Sequence, residues 1–233
     1  MEKCLVTKLD ASVDIQNPEY LIRFKDFADL SINEQRVQIV GAGLPVTDFT
    51  CGTRKVKVTF VGLNNNTMGV LFNGCNINSS TGSENNRMRL DKPYKASSSG
   101  ESTYIVQSSY GAGVNNGDDV TLDKDVEYTV LMVQGSATYY NKEGQVVATQ
   151  TYTESNNSQI DTLYISYHED SASRKDMFAL KNFQIMDLQD NLLLDVYPAL
   201  DEQGKGCLFD VVNGCYYYAN TTGTHELNVW NEE

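Results

Sequence analysis

Apolar and polar side chains alternate with a period of two along much of this chain, in short runs separated by Asn, Asp, Gly and Ser. That spacing predicts strands with one buried and one wet face rather than helices, whose apolar positions recur every three to four residues. Residues 55–61 read KVKVTFV, which sets Val56, Val58 and Phe60 opposite the lysines. Residues 127–152, EYTVLMVQGSATYYNKEGQVVATQTY, predict a meander of three antiparallel strands turning at Gly135-Ser136 and at 141–144. In 181–186, Phe183 and Ile185 alternate with polar neighbours. A turn at 187–190 leads to a second run at 191–197, whose end Pro198 marks, and then to runs at 208–212 and 215–218. Asp190-Asn191 and Asn213-Gly214 stand at the reversals because these residue types tolerate positive φ. Shorter runs at 4–9, 20–24, 36–40, 68–72, 104–108, 120–122 and 163–167 complete an all-β pattern. The polar stretches 76–87, 95–103 and 168–176 read as exposed loops.

Composition agrees with short strands: 14 Tyr and 17 Gly against 4 Pro and a single Trp, Trp230. Sandwiches of about 200–250 residues form one domain, so 233 residues need no second body. No repeat of solenoid or propeller period occurs. The formal net charge of −13 repels phosphate backbones and argues against nucleic acid as a partner. It reads as a solvated acidic surface, with cation-binding clusters as the alternative. Five cysteines, with no CxxC pair, fit reduced and buried thiols made in a cytosol. Cys207 and Cys215 lie on the two final strand runs, where they could face each other, so a disulfide is the competing state. The amino terminus lacks the apolar core of a secretion signal, and no run approaches the roughly 18 apolar residues of a membrane span.

The order of features over residues 180–224 carries a resemblance. Phe183-x-Ile185-x-Asp187, a short turn, a run ending at Pro198, Gly206-x-Leu208-x-Asp210 and an aromatic run before Gly223-Thr224 resemble the carboxyl-terminal signature of concanavalin A-like (laminin-G-like) jelly-roll domains. The subgroup concerned occurs in structural and tail proteins of tailed bacteriophages and in surface proteins of gut bacteria. The resemblance implies an all-β, two-sheet antiparallel jelly-roll sandwich over residues 49–233. Residues 1–48 lie outside it, although CLVTKLDASVD at 4–14 resembles the opening of phage structural proteins. Two readings of 1–48 stand: a strand-rich arm for attachment or oligomerisation, or simply the first strands of the sandwich.

Catalytic patterns are missing. Glycosidases of this fold place carboxylates on one strand as Glu-x-Asp-x-x-Glu, and no such string exists; Glu143, Glu154, Glu169 and Glu226 are scattered in or beside turns. Asp187 with Asp190, Asp118 with Asp119 and Glu169 with Asp170 are turn residues first. Neither His168 nor His225 has a nucleophile motif beside it, and Gly111-Ala112-Gly113 lacks the third glycine of a dinucleotide fingerprint. No enzyme is expected.

Sugar sites pair aromatics with amide and carboxylate side chains on loops. The candidate ligand residues are Tyr110, Asn115, Asn116, Tyr139, Tyr140 and Asn141, although tyrosines at alternating positions also fill ordinary sandwich cores. Calcium, which takes six to eight oxygens, has Asp118, Asp119 and Asp123 as candidate ligands; no other cofactor is expected. The resemblance implies a non-enzymatic phage virion structural protein, a head or tail fibre or decoration subunit, whose jelly-roll binds host-surface glycans. The alternative is a stand-alone carbohydrate-binding lectin module of a bacterial surface protein. In the first case the partners are other virion proteins through the arm, copies of the same chain (a trimer by analogy with fibres) and host polysaccharide, in a virion assembled in the host cytoplasm. Function is then expected in the loops within 76–119 and in the segment before residue 48, not in the terminal element.

Overall fold

The alternation folds as it reads. This computed structural model describes residues 23–29, 37–63, 69–76, 86–92, 102–112, 119–152, 159–165, 178–219 and 227–231. The strands among them are β1 (Arg23–Phe24), β2 (Phe27–Asp29), β3 (Val37–Val40), β4 (Phe49–Thr50), β5 (Lys55–Gly62) and β6 (Gly69–Cys75). There follow β7 (Asn86–Lys92), β8 (Thr103–Ala112), β9 (Val120–Asp123), β10 (Glu127–Val133), β11 (Ser136–Asn141), β12 (Val146–Thr151) and β13 (Gln159–Ile160). The last are β14 (Thr162–Ile165), β15 (Phe178–Met186), β16 (Leu192–Leu200), β17 (Gly206–Asp210), β18 (Cys215–Tyr217) and β19 (Asn228–Trp230).

Two antiparallel sheets face each other. The larger runs β12-β11-β10-β5-β15-β16-β17-β18, with β1 on β16, β2 on β15 and β19 on β2; the smaller runs β3-β14-β6-β7-β8-β9. The chain crosses between them repeatedly, from β5 to β6, from β9 to β10 and from β14 to β15, as a jelly-roll requires. Val56, Val58 and Phe60 of β5 are wholly buried, on the inner face that the lysine alternation predicts. Phe72 of the smaller sheet meets Phe183 of the larger edge to face at 5.2 Å. Burying each such ring contributes about 1.5–3 kcal/mol relative to exposure. A buried polar seam joins the sheets as well: the Tyr139 hydroxyl donates to Gln150 Oε1 at 2.7 Å, and the Ser108 hydroxyl of β8 bonds both Gln150 and Tyr152. The seam pins the outermost strand of the larger sheet to its facing neighbour.

The reversals behave as their residues dictate. Asp190 sits at φ 67° and Gly214 at φ 62°, the left-handed conformation that Asp and Gly accept most readily. Three aspartates close three turns in the same way. Asp187 accepts from the N–H groups of Gln189 and Asn191, Asp201 from those of Gln203 and Lys205, and Asp210 from those of Val212 and Asn213.

Several expectations are corrected. The boundary at residue 48 does not separate the described residues before it from the sandwich: β1 and β2 join the larger sheet and β3 the smaller. Residues 1–22 lie outside the described residues. Asn86 and Arg87, placed in a loop by their polarity, begin β7, whose only apolar signal is Met88 and Leu90. β8 continues to Ala112, so Tyr110 to Ala112 are strand rather than variable loop. Pro198 does not end its strand, because β16 exchanges partners there, from β15 up to Val196 to β1 from Ala199, and its carbonyl accepts from Lys25 N–H at 2.9 Å. Cys207 and Cys215 do not face each other. Cys215 joins the core between the sheets, whereas Cys207 packs with Ala199, Phe209 and Tyr216 on the outer side of the larger sheet. A disulfide between opposite faces of one sheet is geometrically closed.

Candidate functional site

The outer face of the larger sheet carries a groove where β15 and β16 part. Their pairing stops at Phe183 and Val196, and the β1–β2 corner fills the space beyond, with β1 against Ala199 and Leu200 and β2 against Ala179 and Leu180. The corner is held at both ends: Lys25 N–H donates to the Pro198 carbonyl and Asp26 N–H to the Trp230 carbonyl at 3.0 Å. The groove has a volume of about 480 Å³ and is lined by Phe24, Lys25, Asp26, Lys181, Tyr197 and Val211. That volume lies in the range of about 300–1,000 Å³ usual for ligand clefts.

Three of the lining side chains, Phe24, Tyr197 and Lys181, have a structural reason to be there. Phe24 alternates outward from β1 and stays 48% exposed, the most exposed aromatic ring among the described residues. It rests edge-on against Tyr197 at 5.9 Å and Phe209 at 6.0 Å. Tyr197 is oriented from below: its hydroxyl donates to Asp195 Oδ2 at 3.3 Å, while Asp195 Oδ1 accepts from Asn182 and Gln184. Burial, then the Asp195 charge, raises the Tyr197 hydroxyl above its ordinary pKa, so it stays protonated and donating. Lys181 is the extra residue of a β-bulge, skipped between Leu180 and Asn182 in the register with β5. Bulges redirect side chains, and this one sends the ammonium to Glu127 Oε2 at 2.6 Å and over the Phe27 ring at 5.4 Å.

None of the described sequence candidates lines this groove. Tyr139 is fully buried in the polar seam and offers no ring face to a ligand, because its position in β11 pairs with the inward Val130. Tyr140 lies half-buried on the opposite face, and the Asn141 side chain is engaged by Gln145 across its turn. Tyr110 belongs to the other sheet, opposite Met88 in the β7–β8 register. Asn115, Asn116 and Asp118 lie outside the described residues. Asp119 precedes β9 and Asp123 ends it, and a four-residue step along the strand sets them about 13 Å apart, too far to share a cation with ligands at about 2.5 Å. Asp119 bonds Gln107 and Asp123 meets Tyr128. Among the described residues no three His, Cys, Asp or Glu side chains gather as a metal site.

Sequence reasoning missed the groove because its residues come from four separate segments. The available signal was Phe24, a lone aromatic between Arg23 and Lys25, and the closing element, whose Lys181 and Tyr197 supply two of the walls.

The two apposed antiparallel sheets and their crossovers define the class: an all-β jelly-roll sandwich. No protein-family model and no curated protein sequence matches the chain. Solved structures with similar backbones include a Bacteroides ovatus protein provisionally named a carbohydrate binding protein, at TM-score 0.47 and 15% identity, over 90% of this chain and 61% of that one. The chain thus spans about three fifths of that protein's length. Xenopus laevis galectin-Ib matches at TM-score 0.33 and 8% identity over 59% of this chain and 97% of its own. The marine PL7 alginate lyase AlyA1 of Zobellia galactanivorans matches at 0.35 and 15%, over 61% and 65%. At these identities the likeness concerns the backbone alone.

Proposed function

We propose that this chain is a non-enzymatic carbohydrate-binding module and that its saccharide site is the groove beside Phe24. The observation that carries this is the exposed Phe24 ring, edge-packed on Tyr197 at 5.9 Å, beside a groove lined also by Lys25, Asp26, Lys181 and Val211. A pyranose presents an apolar CH face that covers an aromatic ring and hydroxyl edges that need donors and acceptors, and the groove offers both. Binding is favoured over hydrolysis because Asp26 is the one carboxylate among the described lining residues, whereas glycoside cleavage uses two, about 5–9.5 Å apart. The expectation of a virion subunit has no support in these features, and the lectin-module alternative is the one they favour.

The test is a glycan array followed by calorimetry on wild type and Phe24→Ala, with product analysis for reducing ends and unsaturated sugars. Saccharide binding without product, weakened at least tenfold in a Phe24→Ala variant of unchanged far-UV spectrum, is the expected result. A blank array, or turnover of a bound saccharide, would overturn the proposal.

A further inference from the structure

We infer that the groove takes several consecutive units of a flat, β-linked glycan whose ring hydroxyls are all equatorial, in preference to a single sugar or a chain with axial hydroxyls; this rests on the groove being a saccharide site. Its apolar contacts form a line. Val211 stands at one end, where its N–H donates to the Asp195 carbonyl at 2.9 Å. Tyr197 follows two residues further along β16, on the same face of the sheet as Asp195. Phe24 closes the line, because it pairs with Ala199 in the β1–β16 register and lies 5.9 Å from the Tyr197 ring. From Asp195 to Ala199 the strand rises about 13 Å, longer than one pyranose ring and suited to successive units of a chain.

The polar groups along that line are largely engaged. Lys181 Nζ is held by Glu127 at 2.6 Å and the Tyr197 hydroxyl by Asp195 at 3.3 Å, Asp26 has an interaction of its own, and the N–H groups of Lys25 and Asp26 bond the Pro198 and Trp230 carbonyls. What faces a ligand is chiefly apolar, since Val211, like Phe24, is nearly half exposed. A saccharide that fits must bury CH groups and keep its hydroxyls at the rim, where water reaches them. Gluco- and xylo-configured β-linked chains do so, because every hydroxyl is equatorial and both ring faces are CH. The axial hydroxyl at the second carbon of mannose stands on a ring face. Successive rings of such a chain turn over, so some of these hydroxyls meet the line whichever way the chain lies. Each then loses water without gaining a partner, which disfavours binding. A galactan linked through its axial oxygen is not flat and cannot follow the line.

The experiment is calorimetry of wild type and Val211→Ser with glucose, cellobiose, cellotetraose and xylotetraose, and with mannotetraose and galactotetraose, at two temperatures. Expected is cellotetraose or xylotetraose bound at least tenfold more tightly than glucose and than either epimeric tetraose, with the negative heat-capacity change of apolar burial. Val211 is an exposed turn residue, so Val211→Ser should keep the thermal midpoint while weakening tetraose binding at least threefold. An epimeric tetraose bound as tightly as the equatorial ones, glucose bound as tightly as cellotetraose, or a Val211→Ser variant that binds like wild type would overturn the linear fit while leaving the saccharide site standing. So would binding confined to other glycans of the array. If no saccharide bound at all, the saccharide site itself would fail, and the inference with it.

Discussion

Asp210 is tied to Tyr217 across the β17–β18 turn: its Oδ2 accepts from the Tyr217 hydroxyl at 3.3 Å while Oδ1 accepts from the Asp195 N–H of the next strand at 3.1 Å. The wholly buried carboxylate also takes the N–H groups of Val212 and Asn213 and the Asn213 amide. One side chain of β17 thus satisfies donors from both neighbouring strands, β16 and β18, and from a turn. Asp210→Ala strands several of them, each costing about 1–3 kcal/mol when buried. A loss of about 3 kcal/mol is expected in the urea midpoint, with Asp210→Asn losing about half as much because it keeps one acceptor oxygen. A loss below 1 kcal/mol for the alanine variant would contradict the hub.

Gly206 shows how the carboxyl-terminal strand is seated. A Cβ at this position would come within 1.7 Å of the Leu227 carbonyl oxygen, a main-chain atom that cannot step aside alone. Gly206→Ala should displace β19 and cost about 2–3 kcal/mol, the upper range for overpacking. Trp230, the only tryptophan, stacks on Phe27 at 5.7 Å and reports the displacement directly. Its emission should shift to the red in the variant, and an unshifted spectrum would count against the close approach.

Stability should fall in alkali. Burial pushes the Cys207 thiol up to about 12 and raises Tyr104, Tyr152, Tyr217 and Tyr218 well above the ordinary phenol range. In the unfolded chain these groups ionise near about 8.5 and 10. The native state therefore holds more protons above that range, and its stability, complete below about pH 8, declines as pH climbs toward the folded values. Urea midpoints at pH 8, 9.5 and 10.5 should decrease in order, and Cys207 should resist alkylation until the protein unfolds. A flat profile would mean that these groups are not buried.

Adjacent tyrosines in β11 should respond oppositely. Tyr139 fills the core and donates to Gln150, so Tyr139→Ala should cost about 3–5 kcal/mol, as for other large buried rings. Tyr140 faces outward and half-buried, and its alanine variant should lose less than about 1 kcal/mol. Thermal midpoints of the two variants make the comparison. Equal losses would place the β11 register wrongly.

Much of the sandwich was legible because alternation is a local property. β5, β10 and β11 carry their own evidence, with Val56, Val58 and Phe60 or Tyr128, Val130 and Met132 marking the inner face by spacing alone. Asp190 and Gly214 announced their turns through their tolerance of positive φ. β7 was hidden because charged residues crowd its two apolar positions, and β2 and β19 because three residues make no pattern.

The groove has a different origin. Phe24, Lys181, Tyr197 and Val211 are distant in sequence and meet because β16 changes partner at Pro198, β15 bulges at Lys181 and the β1–β2 corner fills the gap. Period, turn chemistry and charge act between near neighbours, so one strand at a time they dictated an acidic all-β sandwich. Which outward side chains would share one cavity depended on strand order and on a one-residue register shift. These long-range pairings arise only when the whole chain buries its core.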